Sequence, residues 1–106
     1  KPFPMPLRVA LMERHPISSQ AFVPMGEAAF LVIVAERSRR PAPSDLRAFV
    51  TNGRQGVNYW PGTWHHPLIA LKSGDFLVID RQGPGEGFNQ DYDEVRFDDR
   101  EIVVEV

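Results

Sequence analysis

The sequence contains no cysteine. A disulfide framework is excluded, and so is any zinc or iron–sulfur site that depends on thiolates. It also lacks a basic excess, with 12 Lys and Arg against 14 Asp and Glu and a formal net charge of -2. Nothing in that balance holds a phosphate backbone, so nucleic acid is not expected as a main partner. Arg37, Arg39 and Arg40 are too few, and too loop-like in setting, to argue otherwise. Long apolar runs are missing as well. The longest covers residues 28–35, far short of the roughly 20 residues of a membrane span. No basic segment followed by an apolar stretch opens the chain, so no secretory signal is visible. A cytoplasmic enzyme or binding domain is the expectation, with residues 1–106 as a single domain. Lys1 starts the chain in mid-pattern among Pro2, Pro4 and Pro6, as the ordered or processed part of a longer chain would.

Helical periodicity is absent from every stretch of ten or more residues, whereas alternation is common. Leu7, Val9 and Leu11 fall on one side of an expected strand, with Arg8 and Ala10 on the other. Phe30, Leu31, Val32, Ile33 and Val34 form a short β-branched run, expected to be a strand buried on both faces. Residues 46–51 and 54–59, separated by Asn52-Gly53, predict a hairpin, because Asn-Gly suits a tight type I′ turn. Residues 68–71, 76–80 and 102–106 predict further strands, and one helical turn is expected near Pro43-Ser44-Asp45-Leu46 with Ser44 as its cap. Ten Pro and eight Gly break the chain often. Residues 36–43 are expected to be a loop, and residues 82–93 either a surface loop or a flap over a ligand mouth. Many short strands with Gly and Pro turns predict an all-β chain, an antiparallel barrel or jelly roll.

Only three histidines are present: His15, His65 and His66. If Leu7, Val9 and Leu11 face the core, the same period carries inward to Glu13 and His15. A charge there is costly unless paired or bound to a metal. His65 and His66 are adjacent, so in a strand only one of them faces inward. Asp98-Asp99-Arg100 fits a solvated turn, and Trp60 and Trp64 fit packing at a barrel rim.

Glu13-x-His15, four residues, then Gln20 is similar in spacing to the first cupin motif, which places His-x-His before a glutamate. Gly56, Pro61-Gly62, two residues, then His65 resembles the second, with tighter spacing around the proline and Ile69 in place of the usual asparagine. The resemblance implies a cupin-type double-stranded β-helix, or jelly-roll barrel, in which Glu13, His15, Gln20 and His65 ligate a divalent metal. Two imidazoles, a carboxylate and an amide oxygen suit nickel, manganese, iron or zinc, the amide being the weakest donor.

A fuller resemblance rests on Glu13-Arg14-His15-Pro16, Gln20-Ala21-Phe22-Val23-Pro24-Met25, Gln55-Gly56-Val57-Asn58-Tyr59, Trp64-His65-His66-Pro67-Leu68 and Asp80-Arg81. These are similar to the ureidoglycolate lyase family, cupin-like enzymes of allantoin breakdown. The resemblance implies that (S)-ureidoglycolate is split into glyoxylate and urea, a homodimer, an association with nickel, and a further segment before the position of Lys1. For that chemistry Glu13 and His65 are the expected acid and base, acting directly or around a metal. His15 and Gln20 would hold the metal or substrate oxygens, and Asn58 the urea end. Arg81 and Arg14 are the expected forks for the carboxylate, although strand parity turns Arg14 away from Glu13. A non-catalytic cupin binding a small carboxylate, or another metal-dependent cupin enzyme, are the competing expectations.

Overall fold

A computed structural model describes residues 4–80, 91–97 and 102–106. Eleven strands lie among the described residues: β1 Leu7–Arg8, β2 Leu11–Arg14, β3 Gln20–Pro24, β4 Phe30–Ala35, β5 Arg47–Val50, β6 Val57–Tyr59, β7 Trp64–His65, β8 Ile69–Ala70, β9 Phe76–Ile79, β10 Asp93–Arg96 and β11 Val103–Val104. They pair antiparallel in three sheets. The largest runs β10-β2-β7-β4-β5, with β8 also paired to β4; the second runs β6-β3-β9; the third is β1-β11. The fold is all-β and cupin-like, as expected. Among the described residues no helix is long and apolar enough to cross a membrane.

β4 is buried almost throughout because it packs on both sides. Leu31, Ile33 and Ala35 join Leu7, Val9, Met12, Trp64, Ile69, Val95 and Phe97 in one core. Phe30 and Val32, with the partly buried Val34, join Phe22 and Tyr59 in a second, between the largest sheet and the β6-β3-β9 sheet. Each fully buried Ile, Phe or Met contributes about 1.5–3 kcal/mol to such a core.

Three expectations need correction. Residues 46–59 do not form a hairpin: β5 pairs with β4, whereas β6 pairs with β3 in another sheet. Asn52 keeps a negative φ, so there is no type I′ turn. Instead its side chain accepts from the Arg54 amide at 2.8 Å, and Gly53 alone takes a positive φ of 81°. Any Cβ on Gly53 would strike the Glu27 backbone, so the glycine marks a crossing of two chain segments. The helical turn spans Pro43–Asp45, and Ser44 lies inside it rather than at its start. Asp45 does the capping, its carboxylate accepting from the Ala42 amide at 2.8 Å.

Strand parity also departs from the expectation at Glu13. Leu7 and Val9 share their core with Met12 and not with Glu13. The chain leaves the β1-β11 sheet and enters the largest sheet at Val9 and Ala10, which bond to Ile102 and Phe97 through backbone groups. This change of sheet resets the alternation by one residue. Glu13 therefore faces the side opposite Leu7 and Val9, toward Tyr59 and the second core.

Candidate functional site

Four short elements bring the polar cluster together. β2 and β7 pair with Glu13 opposite His65. β3 and β6 pair with Gln20 opposite Tyr59. The Pro61-Gly62 turn, with Gly62 at a φ of 81°, donates its Gly62 amide to the His15 carbonyl at 2.9 Å, which draws the start of β7 beside His15. His65 is 1% exposed and lies stacked on Tyr59, with ring centroids 4.3 Å apart and planes 8° from parallel. The His15 ring sits 5.3 Å from that of His65.

The hydrogen-bond pattern is informative because too many acceptors meet. His65 Nδ1 faces the Thr63 carbonyl at 3.1 Å, and His15 Nδ1 faces the Asp91 carbonyl at 3.0 Å. A carbonyl oxygen only accepts, so in a neutral imidazole the single N–H belongs on Nδ1. This tautomer is assigned from its partners. Nε2 of each ring is then a lone pair. Both Nε2 atoms nevertheless face one oxygen, Gln20 Oε1, at 2.9 Å from His65 and 3.2 Å from His15. The Gln20 amide does not gain by turning over, because its Nε2 donates to the Asp80 carboxylate at 3.2 Å. Glu13 adds a carboxylate oxygen 3.6 Å from His65 Nε2. Lone pairs on four side chains thus converge, and a proton or a cation between them reconciles the arrangement.

Glu13, His15 and His65 each offer a ligand atom within 4.8 Å of the others. With Gln20 they form a nitrogen and oxygen donor set suited to a divalent transition metal. Donation of Nδ1–H to a backbone carbonyl is the usual support for a histidine that binds metal through Nε2. The residues present therefore fit such a metal.

The surroundings tune these groups. Burial raises the Glu13 carboxyl, but His65 and His15, when a second proton makes either ring a cation, together with the Tyr92 hydroxyl outweigh it and hold it below 4.5. The Tyr92 hydroxyl lies between two carboxylates, 3.1 Å from Glu13 Oε2 and 2.8 Å from Glu94 Oε1. Burial and both carboxylates push it far above an ordinary phenol, so it stays protonated. Burial lifts the Tyr59 phenol to about 12. Asp91 is buried and accepts from the Ile17 amide at 2.6 Å and from the amide and hydroxyl of Ser18. Burial acts to raise its carboxyl, yet these bonds hold it below 3.8. It pins the turn between His15 and Gln20.

The structure thus brings together Glu13, His15, Gln20 and His65. It does not bring in Arg14. That side chain binds Asp93 at 2.8 Å and the Ser38 carbonyl at 2.7 Å, and lies 4.6 Å from the Trp64 ring centre. Asn58 is exposed and pairs with Ala21, one position out of phase with Gln20 and Tyr59, so it faces away from the cluster. Arg81 and residues 82–90 of the expected loop or flap lie outside the described residues, as do Asp98, Asp99 and Arg100. His66 is half-buried in a groove lined by Pro6, Leu7, Leu11 and Pro67, and burial lowers its pKa. Sequence reasoning missed Tyr59, Asp80, Asp91, Tyr92 and Glu94. The alternation of Val57 and Tyr59 against Asn58 was the one available signal, since it marks Tyr59 as the inward residue.

A family model described as ureidoglycolate lyase matches residues 1–105. A protein named ureidoglycolate lyase from Pseudomonas paraeruginosa strain PA7 is 52% identical over 89 residues, 83% of this chain and 53% of that protein. One of the same name from Azotobacter vinelandii is 51% identical over 90 residues, 84% of this chain and 54% of its own length. Another, from Pseudomonas fluorescens strain SBW25, is 50% identical over 89 residues, with 83% and 53% covered. The chain spans about half the length of the curated relatives it matches.

Proposed function

We propose, from the premise that the chain belongs to the ureidoglycolate lyase family, that it carries the catalytic site of an enzyme releasing urea and glyoxylate from (S)-ureidoglycolate. The observation that supports this most is the meeting of Glu13, His15, Gln20 and His65 around one point. Residues 1–106 act in this reading as one domain of a cytoplasmic homodimer working in allantoin and purine degradation. Leu77, Val78 and Ile79, all exposed on the edge strand β9, fit an assembly that covers them.

The substrate carries a hydroxyl, a ureido group and a carboxylate. Its cleavage removes the hydroxyl proton, forms the aldehyde carbonyl, breaks the C–N bond and puts a proton on the departing nitrogen. Glu13, held ionised, takes the hydroxyl proton. Returning that proton to the urea nitrogen closes the balance, so the O–H lost becomes the N–H gained. The Tyr92 hydroxyl, its one proton shared between Glu13 Oε2 and Glu94 Oε1, stands beside the carboxylate. His15, Gln20 and His65 would hold a divalent metal, nickel being the one the resemblance implies. Such a metal, when bound, would supply Lewis acidity toward the substrate hydroxyl. Arg81 serves as the fork for the substrate carboxylate.

The test is release of urea and glyoxylate from (S)-ureidoglycolate by purified protein supplied with Ni²⁺. Equal amounts of both products are expected, with a loss of about 10²–10⁴-fold in Glu13→Gln. A folded, nickel-supplied protein that releases neither product, or a Glu13→Gln variant at full rate, overturns the assignment.

A further inference from the structure

We propose that Asp80 is a positioning residue that fixes the side-chain amide of Gln20 with its oxygen toward both imidazoles. The consequence for metal binding rests on the reading of the cluster given above; the orientation itself does not.

The two ends of a glutamine amide are nearly the same shape, so only the chemistry of their partners decides which end points where. On one side of Gln20 lie two imidazole Nε2 atoms, which accept when Nδ1 carries the proton. Left alone, the amide gains by turning its NH₂ toward those lone pairs. That state occupies the point of convergence with donors, which a cation does not tolerate. On the other side lies Asp80, whose carboxylate oxygen takes a hydrogen bond from Gln20 Nε2 at 3.2 Å. The register of β3 and β9, Ala21 opposite Ile79 and Phe22 opposite Val78, carries on to set Asp80 across from Gln20. Gln20 is buried, whereas Asp80 is exposed along an open groove of about 550 Å³ lined by Ser18, Ser19, Ala21, Asn58 and Ile79. Changing Asp80 therefore removes the acceptor without opening the core.

The test uses Asp80→Ala, Asp80→Asn, Gln20→Ala and the Gln20→Ala/Asp80→Ala double variant of the whole chain. In metal-free protein, NMR contacts of the Gln20 NH₂ protons read the amide directly. They are expected near Asp80 in the unaltered chain and near His65 in Asp80→Ala. Calorimetric titration with Ni²⁺ is expected to show Asp80→Ala weakened about tenfold, Asp80→Asn within about twofold because asparagine keeps an acceptor, and the double variant no weaker than Gln20→Ala. NH₂ protons facing His65 in the unaltered chain overturn the proposal. So does Asp80→Ala binding Ni²⁺ as tightly as the unaltered chain, or an additive loss in the double variant. If the unaltered chain takes up no Ni²⁺ while its NH₂ protons face Asp80, the metal reading fails and the positioning role stands.

Discussion

Tyr59 lies flat beneath His65, ring centres 4.3 Å apart, and each ring comes from a different sheet. The stack ties the buried imidazole to the β6-β3-β9 sheet while its backbone belongs to the other. Tyr59→Ala is expected to cost about 3 kcal/mol, as for other large buried aromatics. Tyr59→Phe keeps the stack and should stay within about 1 kcal/mol of the unaltered chain. Urea unfolding measures both, and an Ala variant as stable as the Phe variant would deny the stack its role.

Removing metal gives a second expectation. Ni²⁺ at one hundred times its dissociation constant should raise the unfolding free energy by about 2.7 kcal/mol. Chelator should reverse that gain together with urea release. His65→Ala should show no nickel-dependent rise in melting temperature. A rise that persists in His65→Ala would move the metal elsewhere.

Arg14 stands next to Glu13 in sequence but across the sheet from it. Arg14→Ala loses the Asp93 ion pair and the contact with Trp64, a stability loss of about 1 kcal/mol. Because the side chain faces away from the cluster, kcat/KM should change by less than about threefold. A hundredfold fall in kcat/KM would return Arg14 to the site.

Asp91 supplies a dependence on pH. Its carboxyl is held below the ordinary value of 3.8 in the folded chain. A depressed carboxyl stabilises the fold above the unfolded value and loses that contribution as pH falls through the folded one. Asp91→Asn should therefore melt at lower temperature than the unaltered chain at pH 7, and the gap should narrow as pH falls below about 4. Melting curves from pH 7 to pH 2 decide this; a constant gap would place the effect in shape rather than charge.

The strands of this fold were largely legible, because alternation and β-branched runs are local signals. β4 announced itself as buried on both faces through Phe30 to Val34, and it is. Pairing was not legible at Asn52-Gly53, since the dipeptide favours a hairpin while the burial of β6 against β3 decides its partner. Four of the proposed site residues were found through motif spacing. Glu13 faces the cluster for a different reason from the one parity supplied, a change of sheet at Val9 and Ala10 that no local pattern encodes. Asn58 was favoured for its chemistry, and its neighbour Tyr59 holds the inward position. Asp91 and Tyr92 follow a glycine-rich stretch with no periodicity, so their approach to His15 and Glu13 depends on long-range pairing of β10 with β2.

β4 has a mechanical consequence of its own. One face of its backbone carries the core around Leu31 and Ile33 and the other the core around Phe30 and Val32, while Val34 is the residue paired with His65. Neither half of the molecule should melt alone, because both cores share the six residues of β4. A methyl lost at Ile33, whose side chain packs in the core on the opposite face from His65, should loosen the rung beside the imidazole, so heat should take folding and nickel uptake away together in a single cooperative step.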